Sequence, residues 1–294
     1  MRLLILIATN LAVSLLLGLV FLGLEVAGVL PQGQWAGLFV MATVFGFGGS
    51  FVSLLLSKVI AKWSMRVHVI DAPASESEAW LVQTVQQHAA RAGIGQPEVG
   101  IYDSPDPNAF ATGWSRDHAL VAVSTGLLRA MRPEQVSAVL GHEVSHVANG
   151  DMVTLTLIQG VLNTFVIFFS RVIGTMVDAA LSGGDRDRDR GRGGIGYFIT
   201  VMVAQVVLGL GASLIVAWFS RYREFRADAG GAALTSPREM AGALDSLRRA
   251  GEGADLPESL TAFGIHGGSI AKLFASHPPL EERIARLMAA APTR

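Results

Sequence analysis

His142-Glu143-Val144-Ser145-His146 is the stretch of this chain whose residue types and spacing point most directly to chemistry. Residues four apart in a helix lie on one face, one turn above the other, so both imidazoles reach a single zinc ion at roughly 2.0–2.1 Å. Glu143 adjoins the first histidine and is rotated off the shared face, which sets its carboxylate beside the fourth coordination position without binding the metal. From there it can take a proton from an attacking water. The pattern demands a helix, and Pro133 is a fitting first residue for one. Val136, Val139, Leu140, Val144 and Val147 recur along it at helical spacing, and Gly150 stops it.

Two histidines leave a third protein ligand to find, and a glutamate on another helix is one established solution for hydrolytic zinc. Glu224, in Ser220-Arg-Tyr-Arg-Glu224-Phe-Arg-Ala-Asp228, follows a long apolar run and is the best candidate. Asp228 stands four residues further on and shares its helical face. It could accept the second ring N–H of a ligand histidine and fix its tautomer, or form an ordinary ion pair with a neighbouring arginine. His277, before Pro278 and Pro279, reads from the sequence alone as a turn histidine.

The elements that must hold these residues are partly membranous. The chain has 294 residues, 51% hydrophobic and 16% charged, with mean hydropathy +0.44, which is lopsided for a soluble protein. Net charge is -1, so no basic field suggests nucleic acid, and no nucleic-acid partner is expected. The absence of cysteine excludes thiolate metal sites and a cysteine nucleophile. Leu3–Leu24 and Trp35–Ser57 are charge-free runs long enough to cross about 30 Å of hydrocarbon, and Met152–Ser170 and Ile195–Phe219 are candidates for a third and fourth span. The first reads as an uncleaved anchor.

Lys58, Lys62 and Arg66 follow the second span, whereas Glu25–Gln34 has no lysine or arginine. Both termini and the polar regions are therefore expected on the cytoplasmic side. The arginines of the polar loop 171–194 run against that orientation by the same rule.

The expected organisation is two spans in 1–57, a first protease segment in 58–151, a membrane hairpin in 152–219 and a second protease segment in 220–294. A hairpin returns the chain to the same membrane face, which lets Glu224 meet His142 and His146. In the first segment Ser75–Ala92 reads as an amphipathic helix closed by Gly93, and Val99–Tyr102 and Ala119–Val123 as β-prone stretches. The stretch between those two, holding Pro105, Pro107 and Gly113, reads as turn-rich. In the second segment Ser236, Pro237 and Glu239 start a helix to about Arg249, Gly251–Gly268 is a loop, and Leu280–Met288 is a last short helix.

At these residues the chain resembles the HtpX-type membrane metalloproteases, relatives of the CAAX prenyl endopeptidases. The matching segments are Pro107-Asn108-Ala109-Phe110-Ala111-Thr112-Gly113, His142 to Asp151, Arg223-Glu224-Phe225-Arg226-Ala227-Asp228 and Ser276-His277-Pro278. The resemblance implies a mainly α protein with multi-spanning membrane helices and a gluzincin-like α+β zinc protease domain of a small sheet plus helices. It implies one Zn2+ per chain and an edge strand, to which the Asn108–Gly113 stretch leads, along which a peptide lies extended with Asn108, Ala109 and Phe110 binding it. Main-chain pairing would give affinity with little sequence preference. It further implies that His277 sits near the site and helps stabilise the oxyanion, and that the substrates are misfolded membrane proteins of the bacterial inner membrane. Self-cleavage is also implied.

Two other classes compete with the protease. A membrane scaffold with a structural metal clasp would need a fourth protein ligand, with His277 or Asp228 the obvious suppliers. A metal transporter would want ionisable residues inside the apolar runs, and there are none.

Overall fold

His118–Ser124 (β4) is buried at every position but its first, the near-continuous apolar run of a strand covered on both faces. Around it stands a four-stranded sheet in a computed structural model that describes residues 35–181, 194–252 and 277–291. The strand order is β1-β2-β4-β3, where β1 is His68–Val69, β2 is Glu98–Tyr102 and β3 is Ala109–Ser115. β2 runs parallel to β4, while β1 and β3 are antiparallel to their neighbours. The first expected span and residues 253–276, which include most of the expected 251–268 loop and Ser276, lie outside the described residues.

The helices are α1 (Trp35–Ser64), α2 (Glu76–Ala92), α3 (Thr125–Ala130), α4 (Pro133–Asn149), α5 (Asp151–Leu181), α6 (Ile195–Leu234), α7 (Pro237–Glu252) and α8 (Leu280–Ala290). The protein is mainly α, with one small mixed sheet. It divides into two compact units, residues 1–53 with 154–216 and residues 54–153 with 217–294, and the divisions fall inside α1, α5 and α6.

In the first unit, α1, α5 and α6 belong to three helices that are long and apolar enough to cross a membrane. Many of their large side chains point outward: Phe45 is 67% exposed and Phe198 62%. The contacts between α1 and α5 combine an edge-on pair of rings, Phe39 and the buried Phe168, with close approaches at small residues. A methyl added at Gly46 would fall 2.5 Å from the Thr164 backbone nitrogen, and one added at Gly160 would touch Ser50 and Phe47. Small residues at helix contacts and large apolar ones outside are the packing of helices in lipid.

In the second unit the order is reversed. Leu81 and Val85 of α2, Val121 and Val123 of β4, Leu140 and Val144 of α4, and Met240 and Leu244 of α7 form one buried core. Ser75 caps α2 by accepting from the Glu78 N–H, and Gly93 ends it in the left-handed region. α4 begins at Pro133 and ends at Gly150, whose φ of 69° lets its N–H return to the last carbonyls. That turn separates α4 from α5 and brings Asp151 back beside His146. α6 crosses α4 closely at Gly231, where a methyl would lie 3.0 Å from the His142 backbone nitrogen.

Three expectations need correction. The stretch read as turn-rich contains β3, whose Ala109, Ala111 and Gly113 interrupt the strand-favouring residues and which pairs with β4; the prolines lie just before it, and a bulge falls between Gly113 and Ser115. The loop expected from Arg171 is helical to Leu181, with residues 182–193 outside the described set. α7 and α8 each run slightly further than expected, as helix ends commonly do.

Candidate metal centre

α4 presents His142 and His146 one turn apart, with their Nε2 atoms 3.1 Å from each other. α6 brings Glu224 against both. Its Oε1 lies 3.2 Å from His146 Nε2 and its Oε2 lies 3.6 Å from His142 Nε2. Four ligands held tetrahedrally at zinc bond lengths stand about 3.3 Å from one another, and one ligand atom from each of the three residues lies within 4.8 Å of the others, close enough to share an ion. Glu224 is only 1% exposed, and neither carboxylate oxygen has an aligned hydrogen-bond donor. A buried carboxylate without such donors is costly unless a cation satisfies it. The donor set therefore fits a small divalent ion, and His142, His146 and Glu224 are the group of described residues with this convergence.

The distal ring nitrogens are held by carboxylates. His142 Nδ1 lies 3.0 Å from Asp228 Oδ1, and His146 Nδ1 lies 2.8 Å from Asp151 Oδ2. Both contacts favour the tautomer that turns Nε2 inward. Asp228 also does what its alternative reading allowed, but with a distant partner. Arg283 of α8, itself buried, donates from Nε at 2.8 Å and from Nη2 at 2.6 Å to the two Asp228 oxygens. Its Nη1 lies 3.2 Å from Glu224 Oε2. Bidentate pairing of this kind fixes direction as well as charge.

Burial works against the charged form of His142, but the Asp228 and Glu224 carboxylates outweigh it and raise its pKa. Burial is likewise overcome at His146, where Asp151 and then Glu224 push the pKa up to about 9. Without a metal, His146 therefore tends to hold a proton at neutral pH.

Glu143 is half-buried on α4 and lines the same cavity as His142, Glu224 and His277. His277 is exposed, and its Nδ1 stands 2.9 Å from Glu224 Oε2 rather than beside the two Nε2 atoms. Asn108 and Ala109 lie on the cavity wall at the start of β3. Asn108 is fixed by Ser124, whose N–H donates to its carbonyl and whose hydroxyl accepts from its N–H. Phe110 points away: its ring packs on Tyr102, 5.6 Å between centroids, on the opposite face of the sheet. Only its backbone is at hand for a ligand along β3, and β3 pairs with β4 alone among the described strands.

Asp151 and Arg283 were not singled out from the sequence. The signal for Asp151 was an acid directly beyond the helix-stopping glycine. For Arg283 it was a cation on the apolar face of α8, in register with Leu280, Ile284 and Leu287.

Comparison with known proteins adds to this geometry. The family model described as peptidase family M48 matches residues 75–291. A protein named Protease HtpX from Thioalkalivibrio sulfidiphilus is 52% identical over 98% of each chain. Another of that name from Xanthomonas campestris pv. campestris is 55% identical over 98% of this chain and 97% of its own. The crystal structure of S. mikatae Ste24p shares the fold, with TM-score 0.64 and 18% identity over 97% of this chain and 67% of that one.

Proposed function

The chain belongs to peptidase family M48 and is a membrane metalloprotease, and from that premise we propose that it is a zinc endopeptidase whose ion is held by His142, His146 and Glu224. The observation that carries the assignment is the meeting of the buried Glu224 carboxylate with two Nε2 atoms at separations of 3.1 to 3.6 Å. Family membership leaves no support for a non-enzymatic scaffold.

Zinc held by His142, His146 and Glu224 would supply Lewis acidity toward the scissile carbonyl and an attacking water. Glu143 is the general base: it takes the proton of the attacking water and passes it to the departing amine. Asp228 and Asp151 orient the two imidazoles, and Arg283 keeps Asp228 in place. His277, on the rim of the same cavity, donates to the oxygen that gains negative charge. The substrate backbone pairs with the free edge of β3 beside Asn108 and Ala109, so it lies extended across the site.

The remaining assignments rest on sequence and kinship. Lys58, Lys62 and Arg66 after the second apolar run favour a catalytic unit and both termini in the cytoplasm, with the chain multi-pass in a bacterial inner membrane. Its substrates are then misfolded or damaged membrane proteins, met at the bilayer.

Zinc content and casein hydrolysis of detergent-purified variants test the proposal. Glu143→Ala should keep zinc and lose about 10²- to 10⁴-fold in rate. His142→Ala should lose both. Undiminished cleavage by Glu143→Ala would remove the general-base role.

A further inference from the structure

Asn108 and Ala109 reach the cavity at the end of residues 103–108, a stretch with no helix or strand of its own. Such a stretch lacks the regular backbone bonds of an element, so other groups must set where β3 begins. That support comes from three consecutive residues, Ser124, Thr125 and Gly126, at the point where β4 passes into α3.

Ser124 is wholly buried, and its hydroxyl uses all that a hydroxyl offers, one donor and two acceptor directions. It donates to the Asp106 carbonyl at 2.7 Å, and it accepts from the N–H of Asn108 and from that of Leu127, each at 3.0 Å. The Ser124 N–H returns to the Asn108 carbonyl at 2.9 Å, while Tyr102 of β2 pairs with Ser124 on the other side. The next two residues extend the join. Ser104 donates its N–H to Thr125 Oγ1 at 3.3 Å, and Gly126 donates its own to the Ser104 carbonyl at 2.8 Å. A methyl at Gly126 would overlap the Pro105 carbonyl, so only glycine lets the two segments lie this close.

Asn108 and Leu127 both line the cavity that holds His142, Glu143 and Glu224, and they come from different parts of the fold. One oxygen atom therefore spaces two walls of that cavity. Capping α3 needs only the bond to Leu127; the two bonds to the 106–108 turn are left over.

We infer that Ser124 is a positioning residue for the substrate: its hydroxyl holds Asn108 and the first residues of β3 where an extended peptide pairs with the strand and passes across the cavity. The inference rests on the hydrolytic reading given above. Without that oxygen, the Asp106 carbonyl and the N–H groups of Asn108 and Leu127 each lose a partner, and the turn must shift to recover them. The proposed zinc ligands stand on α4 and α6, and none of the bonds just named reaches them. Loss of the hydroxyl should therefore weaken peptide binding far more than turnover.

The test uses full-length, zinc-loaded protein in detergent and an extended fluorogenic peptide, with zinc content measured on each preparation. Ser124→Ala should keep zinc and raise KM roughly 5- to 100-fold, with kcat little changed. In a Glu143→Ala background, which holds the peptide uncut, the same substitution should weaken Kd by a similar factor, read by fluorescence anisotropy. Ser124→Thr retains the hydroxyl and should restore most of the affinity. Thr125→Val keeps its shape, removes the oxygen facing Ser104 and should move KM the same way, so it carries the test by the same criteria if Ser124→Ala does not fold. Zinc-loaded Ser124→Ala with wild-type KM and Kd overturns the inference. So does a fall in kcat and melting temperature at unchanged KM, the mark of a cap that only stabilises α3. Wild-type protein that holds zinc yet cleaves neither the peptide nor casein overturns the hydrolytic reading, and the inference with it.

Discussion

In the first unit Phe45, Ile195 and Phe198 stand well exposed while Ala42 is buried; in the second, Leu81, Leu140 and Leu244 are buried, and so are Glu224, Asp228 and Arg283. The same chain thus sorts its side chains by two rules. Where the surroundings are hydrocarbon, large apolar groups cost nothing outside and small ones let helices touch. Where they are water, apolar groups must go inside, and charge can follow only when it is paired. Among the described residues, Glu224, Asp228 and Arg283 are linked in one network, and Glu224 stands at its centre, between both imidazoles, His277 and Arg283. Three of its partners are histidines, the residue type that can exchange a proton for a metal ion.

The comparison breaks most visibly if a core residue and a lipid-facing one respond alike. Leu140→Ala should destabilise the second unit by about 2–5 kcal/mol, seen as a lower unfolding temperature with zinc release. Val207→Lys on the exposed face of α6 should cost roughly 2.5–3.5 kcal/mol of membrane insertion, seen as a smaller carbonate-resistant membrane fraction. Normal insertion of Val207→Lys would mean that this face does not meet lipid.

The buried network is probed by smaller changes. Asp228→Asn and Asp151→Asn should each lower zinc affinity about 10- to 100-fold, measured by competition with a chelator, while the fold persists. Loss confined to one of them would show that a single histidine dominates binding. The gentlest probe is pH. His146 in the zinc-free protein has its pKa raised from 6.5 to about 9, so the stability it contributes is fully present below 6.5 and lost as pH rises through 9. Zinc must displace that proton, so zinc affinity should climb about tenfold per unit towards pH 9. Between those limits the melting temperature of chelator-treated protein should fall as zinc affinity rises; parallel trends would refute the raised pKa.

Much of the site was legible because helices repeat. The four-residue step from His142 to His146, and again from Glu224 to Asp228, places each pair on one face by spacing alone. Glu224 could be linked to the histidines only through the idea of a returning hairpin, since nothing local joins them. Asp151 escaped notice because it acts across the Gly150 turn, where helical spacing no longer applies. Arg283 escaped because an arginine on an apolar helix face has no meaning until its partner on another element is known. The strand β3 was hidden for a related reason: Ala109, Ala111 and Gly113 alternate with the β-favouring Phe110, Thr112 and Trp114, so the prolines before it dominate the reading until pairing with β4 is known. The side of the sheet that Phe110 would face could not be read without that register, which is why its ring lies on Tyr102 and away from the cavity.

If Glu224 completes a metal site with the two histidines of α4, its removal must empty that site. Zinc stoichiometry and peptide hydrolysis, measured on the same preparations of wild type and Glu224→Ala, test it directly. The wild type should hold about one zinc per chain and hydrolyse the peptide, with both lost in the variant. A Glu224→Ala protein that retains stoichiometric zinc and cleaves at the wild-type rate would contradict it.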